Sequence, residues 1–227
     1  SLEKQHGRWS LVSPMPARAS ATMLHSLMAL ATATSLLQLP ASADNLKKYG
    51  LDAPEAKVWL DDTEVGIGME HPFKDARYVL HDNQVKLIAA RHLMPAAYRY
   101  RNLIDRRLLE EADKLVAIVL PQQSLWLRDG RWKVQAGDVS LTPDKINAFV
   151  DEWRFARAFA VESYSGRPVL DRVRLTLQAQ DNSKSKTLEF AVLSYTPEFV
   201  LYRSDENLEY RFTEQTGKRL LNISGES

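Results

Sequence analysis

One run of chemistry occurs twice in this chain, and no other feature constrains its fold as strongly. His6-Gly7-Arg8-Trp9-Ser10-Leu11 returns 123 positions later as Asp129-Gly130-Arg131-Trp132-Lys133-Val134. Asp129-Gly130 lies between Ser124–Arg128 and Arg131–Gln135, two runs of alternating polarity. That is the strongest short-range hairpin signal, because both central residues tolerate positive φ. A repeat of this kind specifies architecture well and chemistry poorly. The expectation is two tandem units, residues 1–110 and 111–227, each of hairpin, one amphipathic helix and antiparallel meander. This is an α+β class with a helix covering one sheet face.

The helices follow from periodicity. Thr142-Pro143 reads as N-cap and first helical residue of a helix running to about Val161. Ile146, Phe149, Val150, Trp153 and Ala156 form its apolar stripe. Shifted back by the repeat length, Ile146, Val150, Trp153, Ala156 and Ala160 fall on Met23, Leu27, Leu30, Ala33 and Leu37. Residues 15–45 also resemble a secretory signal, with Arg18, an apolar run over 21–39 and Ala41-Ser42-Ala43 as a cleavage box. The repeat favours the folded helix over the signal.

Strands are expected at 114–120, 173–179, 187–194, 199–203 and 208–212 in the second unit. In the first they are expected at 57–60, 65–68, 77–81 and 84–88, with turns at Asp61-Asp62-Thr63 and Asp82-Asn83. Residues 180–186 read as a polar loop. The second unit has a strand before its hairpin and the first begins inside one. A preceding strand, and an anchor before it, are therefore expected in the parent protein.

At this point the residues bear on kinship. The HGRW and DGRW hairpins, Tyr49-Gly50-Leu51-Asp52-Ala53-Pro54, Arg77-Tyr78-Val79 and Asp105-Arg106-Arg107-Leu108-Leu109 resemble the bacterial family of unknown function DUF4340 over nearly the whole chain. The resemblance implies an envelope protein with an N-terminal membrane-spanning helix absent here, an extracytoplasmic repeat region, and in some members an association with transporter components. It implies no catalytic residues.

Composition narrows the chemistry. Thirty Lys and Arg against 29 Asp and Glu leave a formal charge of +1, so there is no general attraction to nucleic acid or anionic membrane. Cysteine is absent, which excludes thiolate catalysis, disulfides and Cys-ligated metal. The five histidines show neither HxH nor HExxH spacing, and His6 is read as a turn residue. Gly66-Ile67-Gly68 lacks the third glycine and the Lys-Ser/Thr pair of phosphate loops. It reads instead as a bulge or a close backbone approach. Asn45–Tyr49 reads as a helical turn closed by Gly50 in the left-handed region, with Pro54 forcing extension. Trp9 and Trp132 read as core anchors. No GxSxG elbow occurs, and Asn222-Ile223-Ser224 is an uninformative sequon.

Two clusters remain as candidate binding edges. Glu70, His71, Lys74 and Asp75 form the densest polar group between strands, and Tyr98, Arg99, Tyr100 and Arg101 interleave rings with cations. The second could serve nucleic acid, or be a linker whose arginines pair with Glu110, Glu111 and Asp113. The expected function is a non-catalytic extracytoplasmic scaffold that binds a protein partner and uses no cofactor, metal or nucleic acid. The alternative is a ligand-binding protein or enzyme with its site in a cleft between units.

Overall fold

The computed structural model describes residues 1–5, 7–94, 99–135, 141–178 and 185–223. His6, Tyr98, most of the 180–186 loop and Ser224 of the sequon lie outside the described residues. The described residues form four α-helices and 16 strands, an α+β fold. The chain divides into two compact units, Ser1–Pro14 with Arg18–Ile104 and Met15–Ala17 with Asp105–Ser227.

The first unit opens with β1 (Leu2–Gln5) and β2 (Arg8–Leu11), paired antiparallel, with β3 (Ala17–Arg18) completing a small sheet in the order β1-β2-β3. Next come α1 (Ala21–Ala31), β4 (Gln38–Pro40), α2 (Ala43–Lys48), β5 (Ala56–Leu60), β6 (Thr63–Glu70), β7 (Ala76–His81) and β8 (Gln84–Ala89). Strands β4 to β8 make a five-stranded sheet in the order β4-β8-β7-β6-β5. Asp82 and Asn83 take φ of 50° and 55°, which lets a two-residue turn pair His81 with Gln84. Both faces of this sheet are covered. Leu30 of α1 joins Val65, Ile67, Val79 and Ile88 on one face. Leu46 beside α2's C-terminus joins Leu51, Tyr78, Val85 and Leu87 on the other. Alternate residues of β7 and β8 therefore serve different cores.

Helix α1 ends about six residues before the apolar spacing does. Leu37, expected on its stripe, is 41% exposed. Leu36 N–H donates to the Leu87 carbonyl and Leu87 N–H to the Leu37 carbonyl, so the chain leaves the helix to hydrogen-bond along β8. Thr32, Thr34 and Ser35 weaken helix propensity there, and an available strand edge satisfies the backbone instead. No helix among the described residues is long and apolar enough to cross a membrane.

The second unit runs β9 (Lys114–Val119), β10 (Ser124–Arg128), β11 (Arg131–Gln135), α3 (Pro143–Phe155), β12 (Ala160–Ser163), β13 (Asp171–Gln178), β14 (Ser185–Ser194), β15 (Glu198–Arg203), β16 (Leu208–Thr213) and α4 (Glu214–Leu221). All eight strands join one antiparallel sheet, β11-β10-β9-β13-β14-β15-β16-β12. Hairpin and meander are thus merged here and separate in the first unit, so the two units do not share a sheet plan. The Asp129-Gly130 turn has φ of 53° and 72°, as its sequence requires.

Helix α3 starts as expected, with the Thr142 hydroxyl accepting from Lys145 N–H, and buries Phe149, Val150 and Trp153. It stops at Phe155 rather than near Val161. Beyond it the chain is extended: Leu108 N–H donates to the Ala156 carbonyl, Ala158 N–H to Arg106, and β12 pairs with β16. Trp9 and Trp132, read as core anchors, are only half buried. Trp132 belongs to β11, the end strand of the sheet among the described residues. The fully buried anchors are Trp153, Tyr210, Phe190, Phe199 and Phe212.

Charged groups are buried only with partners. Arg203, 5% exposed, bonds Asp205 and the Leu108 carbonyl. Glu209, 1% exposed, accepts from Ser165 N–H and from the Arg167 guanidinium at 2.6 Å. Burial alone would raise the carboxyls of Asp205 and Glu209, but it is outweighed on Asp205 by the hydrogen bonds and positive charges of Arg203 and Lys186, and on Glu209 by hydrogen bonds from Ser165 and by the hydrogen bond and positive charge of Arg167. Both therefore titrate below their ordinary values. A carboxyl depressed in the folded state stabilises at neutral pH, and that stabilisation is lost as pH falls through the folded value. Unfolding midpoints should thus be flat near neutrality and fall below about pH 4. Glu209→Gln should be less stable than wild type at pH 7 and closer to it at pH 3. A gap independent of pH would contradict this assignment.

Candidate functional site

Glu70 closes β6, and His71, Lys74 and Asp75 lie in the tight connection from it to β7. His71 organises it. Its Nδ1 accepts from the backbone N–H of Phe73 at 3.1 Å and of Lys74 at 3.2 Å. The imidazole proton is therefore on Nε2. His71 N–H donates to the Ala76 carbonyl and Ala90 N–H to the Asp75 carbonyl, both within 3.0 Å. Pro72 adds its own stiffness. The side chains of Glu70, Lys74 and Asp75 are exposed.

At the tip of this braced turn stands Phe73, 92% exposed. Met69, just before the turn, is 50% exposed. Behind Phe73 a row of rings runs back to α2. His71 lies 6.4 Å from Phe73 and 5.8 Å from Tyr78, and Tyr78 stacks on Tyr49 at 4.0 Å, centroid to centroid. The Lys48 ammonium ends the row 5.3 Å from the Tyr49 ring. Burial, reinforced by Tyr49, pushes the Tyr78 phenol up, so it stays neutral at physiological pH.

Local chemistry explains this placement. The Ser42 hydroxyl caps α2 by accepting from Asn45 N–H, and Gly50 at φ 65° closes it, with Leu51 N–H donating back to Leu46. Tyr49 is thereby delivered over β6, where its carbonyl accepts from Met69 N–H at 3.0 Å. Gly68 permits the approach, since a Cβ there would lie 2.5 Å from that carbonyl oxygen. The register of β6 on β7 shifts between Ile67 and Glu70. Bulge and close approach, the two alternatives read from Gly66-Ile67-Gly68, are both present. Arg77 fixes the far side, donating from Nε to the Gly68 carbonyl at 3.1 Å and pairing with Glu55.

The second cluster is differently built. Arg99 N–H donates to the Asn102 side chain, opening a 3-10 turn over Tyr100–Leu103, and Arg101 lies against the Tyr100 ring. Tyr98 is not among the described residues. Nearby, Arg107 engages Asp105 at 3.0 Å and Glu111 at 3.7 Å, Arg106 donates to the Phe159 carbonyl, and Asp113 accepts from Glu110 N–H. Ion pairing of this linker's arginines is thus seen with Glu111, alongside contacts the sequence did not suggest. Among the described residues no three His, Asp or Glu side chains converge as metal ligands do.

The sequence pattern singles out the polar residues of the β6–β7 turn and passes over Phe73 and Met69. One signal was present. Phe73 follows Pro72 and precedes Lys74-Asp75, so it sits in a turn, where a strand cannot turn it inward.

A family model described as a domain of unknown function (DUF4340) matches residues 9–187. No curated protein and no solved structure matches the chain.

Proposed function

The chain belongs to the DUF4340 family, and from that premise we propose that it is a non-catalytic module of the bacterial cell envelope that binds a protein partner through the Phe73 edge. Phe73 carries this reading. An aromatic ring held almost entirely in water on a rigid turn gains nothing for the folded state, whereas such rings are the anchors of protein interfaces. Met69, before the turn, is half exposed as well, and Glu70, Lys74 and Asp75 supply polar side chains of both signs around the turn. The extracytoplasmic placement, the membrane anchor in the parent protein and a transporter component as partner rest on the family resemblance alone.

Phe73→Ser should leave stability within about 0.5 kcal/mol, because the side chain is exposed. It should weaken the complex by roughly tenfold or more, the usual weight of an interface anchor. A photo-crosslinking residue at position 73 of the full-length protein, expressed in its own envelope, should capture one protein reproducibly. The same protein should be lost from affinity capture by the Phe73→Ser variant. Undiminished capture by that variant would overturn the reading.

A further inference from the structure

Over β11, β10, β9 and β13 the sheet of the second unit turns one face to the core and the other to solvent. Leu125, Ile118 and Leu175, paired side by side across β10, β9 and β13, are all 0% exposed. Residues one position along each strand point the opposite way. There Lys133, Trp126, Ala117 and Thr176 form one row, and Val119 beside Arg174 belongs to the next. Two positions along their own strands, Arg128, Arg131 and Arg172 stand on the same side. All five of these bases are exposed, Trp126 is half-buried and Val119 is 40% exposed.

Charge is segregated on this face, in a chain whose totals balance at 30 bases against 29 acids. Arg174 is matched by Glu189 at 3.2 Å, and Arg128 has Asp129 of the hairpin tip 3.9 Å away. Arg131, Lys133 and Arg172 have no counter-charge among the described residues. Arg128 and Arg131 face each other directly across the hairpin, a placement of like charges that costs the folded state stability. Cations left unmatched inside the unit complement an anion outside it.

The layout narrows that anion. Arg131 on β11 and Arg172 on β13 are three strand spacings apart, about 14 Å across the sheet. An extended acidic chain follows one row, whereas a plane of phosphates meets bases spread in two directions. Trp126 is the one ring on this face among the described residues, and stacking of successive nucleic-acid bases needs several. Arginine forks match phosphate oxygens, and an indole beside an exposed valine suits the headgroup boundary of a bilayer.

We propose that this face docks on an anionic phospholipid surface, with its arginines and Lys133 at the phosphates and Trp126 and Val119 at the headgroup boundary. The assignment is independent of the Phe73 edge, which belongs to the other unit.

The test is co-sedimentation of the whole chain with vesicles of phosphatidylglycerol in phosphatidylcholine, against phosphatidylcholine alone. Binding should require the anionic lipid and fall steeply as salt shortens the reach of the charges. A base near such a surface is worth about fivefold in partition, so Arg131→Gln with Lys133→Gln should weaken binding roughly ten- to thirtyfold. Lys145→Gln, at an exposed base of α3, and Phe73→Ser should both bind like wild type. Brominated lipid should quench fluorescence that Trp126→Phe removes. All variants should keep the wild-type circular dichroism spectrum, since the altered bases are exposed. Equal binding to neutral vesicles, no binding to anionic ones, or wild-type binding by the folded double variant would overturn the proposal. So would absence of that quenching, or tighter retention on polyglutamate or single-stranded DNA than on vesicles at the same salt, which would give the face to a linear polyanion.

Discussion

Replacing Trp153 by alanine is expected to destabilise the second unit by about 3–5 kcal/mol, the range for deleting a buried aromatic from a packed core. The side chain is fully buried, with its ring 6.4 Å from that of Phe190. It does more than fill space. The last carbonyls of a helix have no partner within the helix, and Trp153 Nε1–H donates to the Leu220 carbonyl of α4 at 2.9 Å. Gln123 does the same for Leu221 at 3.2 Å. Trp153 therefore joins α3, the sheet and the end of α4. Alanine leaves a cavity and an unsatisfied carbonyl together, so the upper half of the range is expected. At about 4 °C or more per kcal/mol, the melting temperature should fall by roughly 15 °C. Trp153→Phe separates the two effects, keeping most of the volume and losing only the hydrogen bond, at about 1–2 kcal/mol. Denaturant midpoints of the three proteins check this. An alanine variant within about 1 kcal/mol of wild type would show that α3 is not anchored as described.

Gly68→Ala is expected to destabilise the first unit by about 2–4 kcal/mol, against the ordinary tendency. In an unconstrained strand, alanine for glycine stabilises by about 0.4–1 kcal/mol, because the unfolded chain has less freedom to lose. Here the added Cβ would lie 2.5 Å from the Tyr49 carbonyl oxygen and 2.8 Å from the Leu51 side chain, which is 2% exposed. Neither neighbour is free to yield. The carbonyl accepts the Met69 hydrogen bond, and Leu51 is core. Overpacking of this kind costs about 1–3 kcal/mol, and the lost hydrogen bond about 1 more. Because Tyr49 begins the ring row that ends at Phe73, the substitution should also reduce partner capture through Phe73, which it does not touch. Faster exchange of the Met69 amide and a changed near-ultraviolet spectrum would report the displaced tyrosine. A stabilised variant would mean that α2 does not lie against β6 this closely.

The turns were legible in the sequence because their cause is local. Asp129-Gly130 and Asp82-Asn83 occupy positions of positive φ, a conformation few other residues accept, so two letters suffice to place each hairpin. The start of α3 was equally readable, since Thr142 and Pro143 act within one turn of themselves. Helix ends were not. The spacing Leu30, Ala33, Leu37 continues a helical stripe, but the chain turns off at Thr32 because β8 offers its backbone, and β8 lies about 50 residues away in sequence. Helix α4 went unread although Thr213 caps it and Glu214 pairs with Lys218. Eight residues hold too little pattern to stand out from the strand before them.

The candidate site divides in the same way. Its polar residues declared themselves by density in one loop, and Gly68 by its type. The ring row did not, because Tyr49, His71 and Tyr78 come from α2's end, a turn and a strand, and only register brings them within 4.0 to 5.8 Å. Phe73 and Trp153 are both large apolar residues among polar ones, but Phe73 falls in a turn and Trp153 on the periodic stripe of α3. One is 92% exposed and the other 0%.

By itself the sequence determined the class of fold, the family, the hairpins and most strands, since these depend on backbone freedom and short-range alternation. Tertiary structure alone decided how strands group into sheets, where helices stop and which aromatics are covered. Each of those is a competition between distant segments for the same hydrogen bonds or the same apolar surface, and its outcome is fixed only when all the competitors are in place.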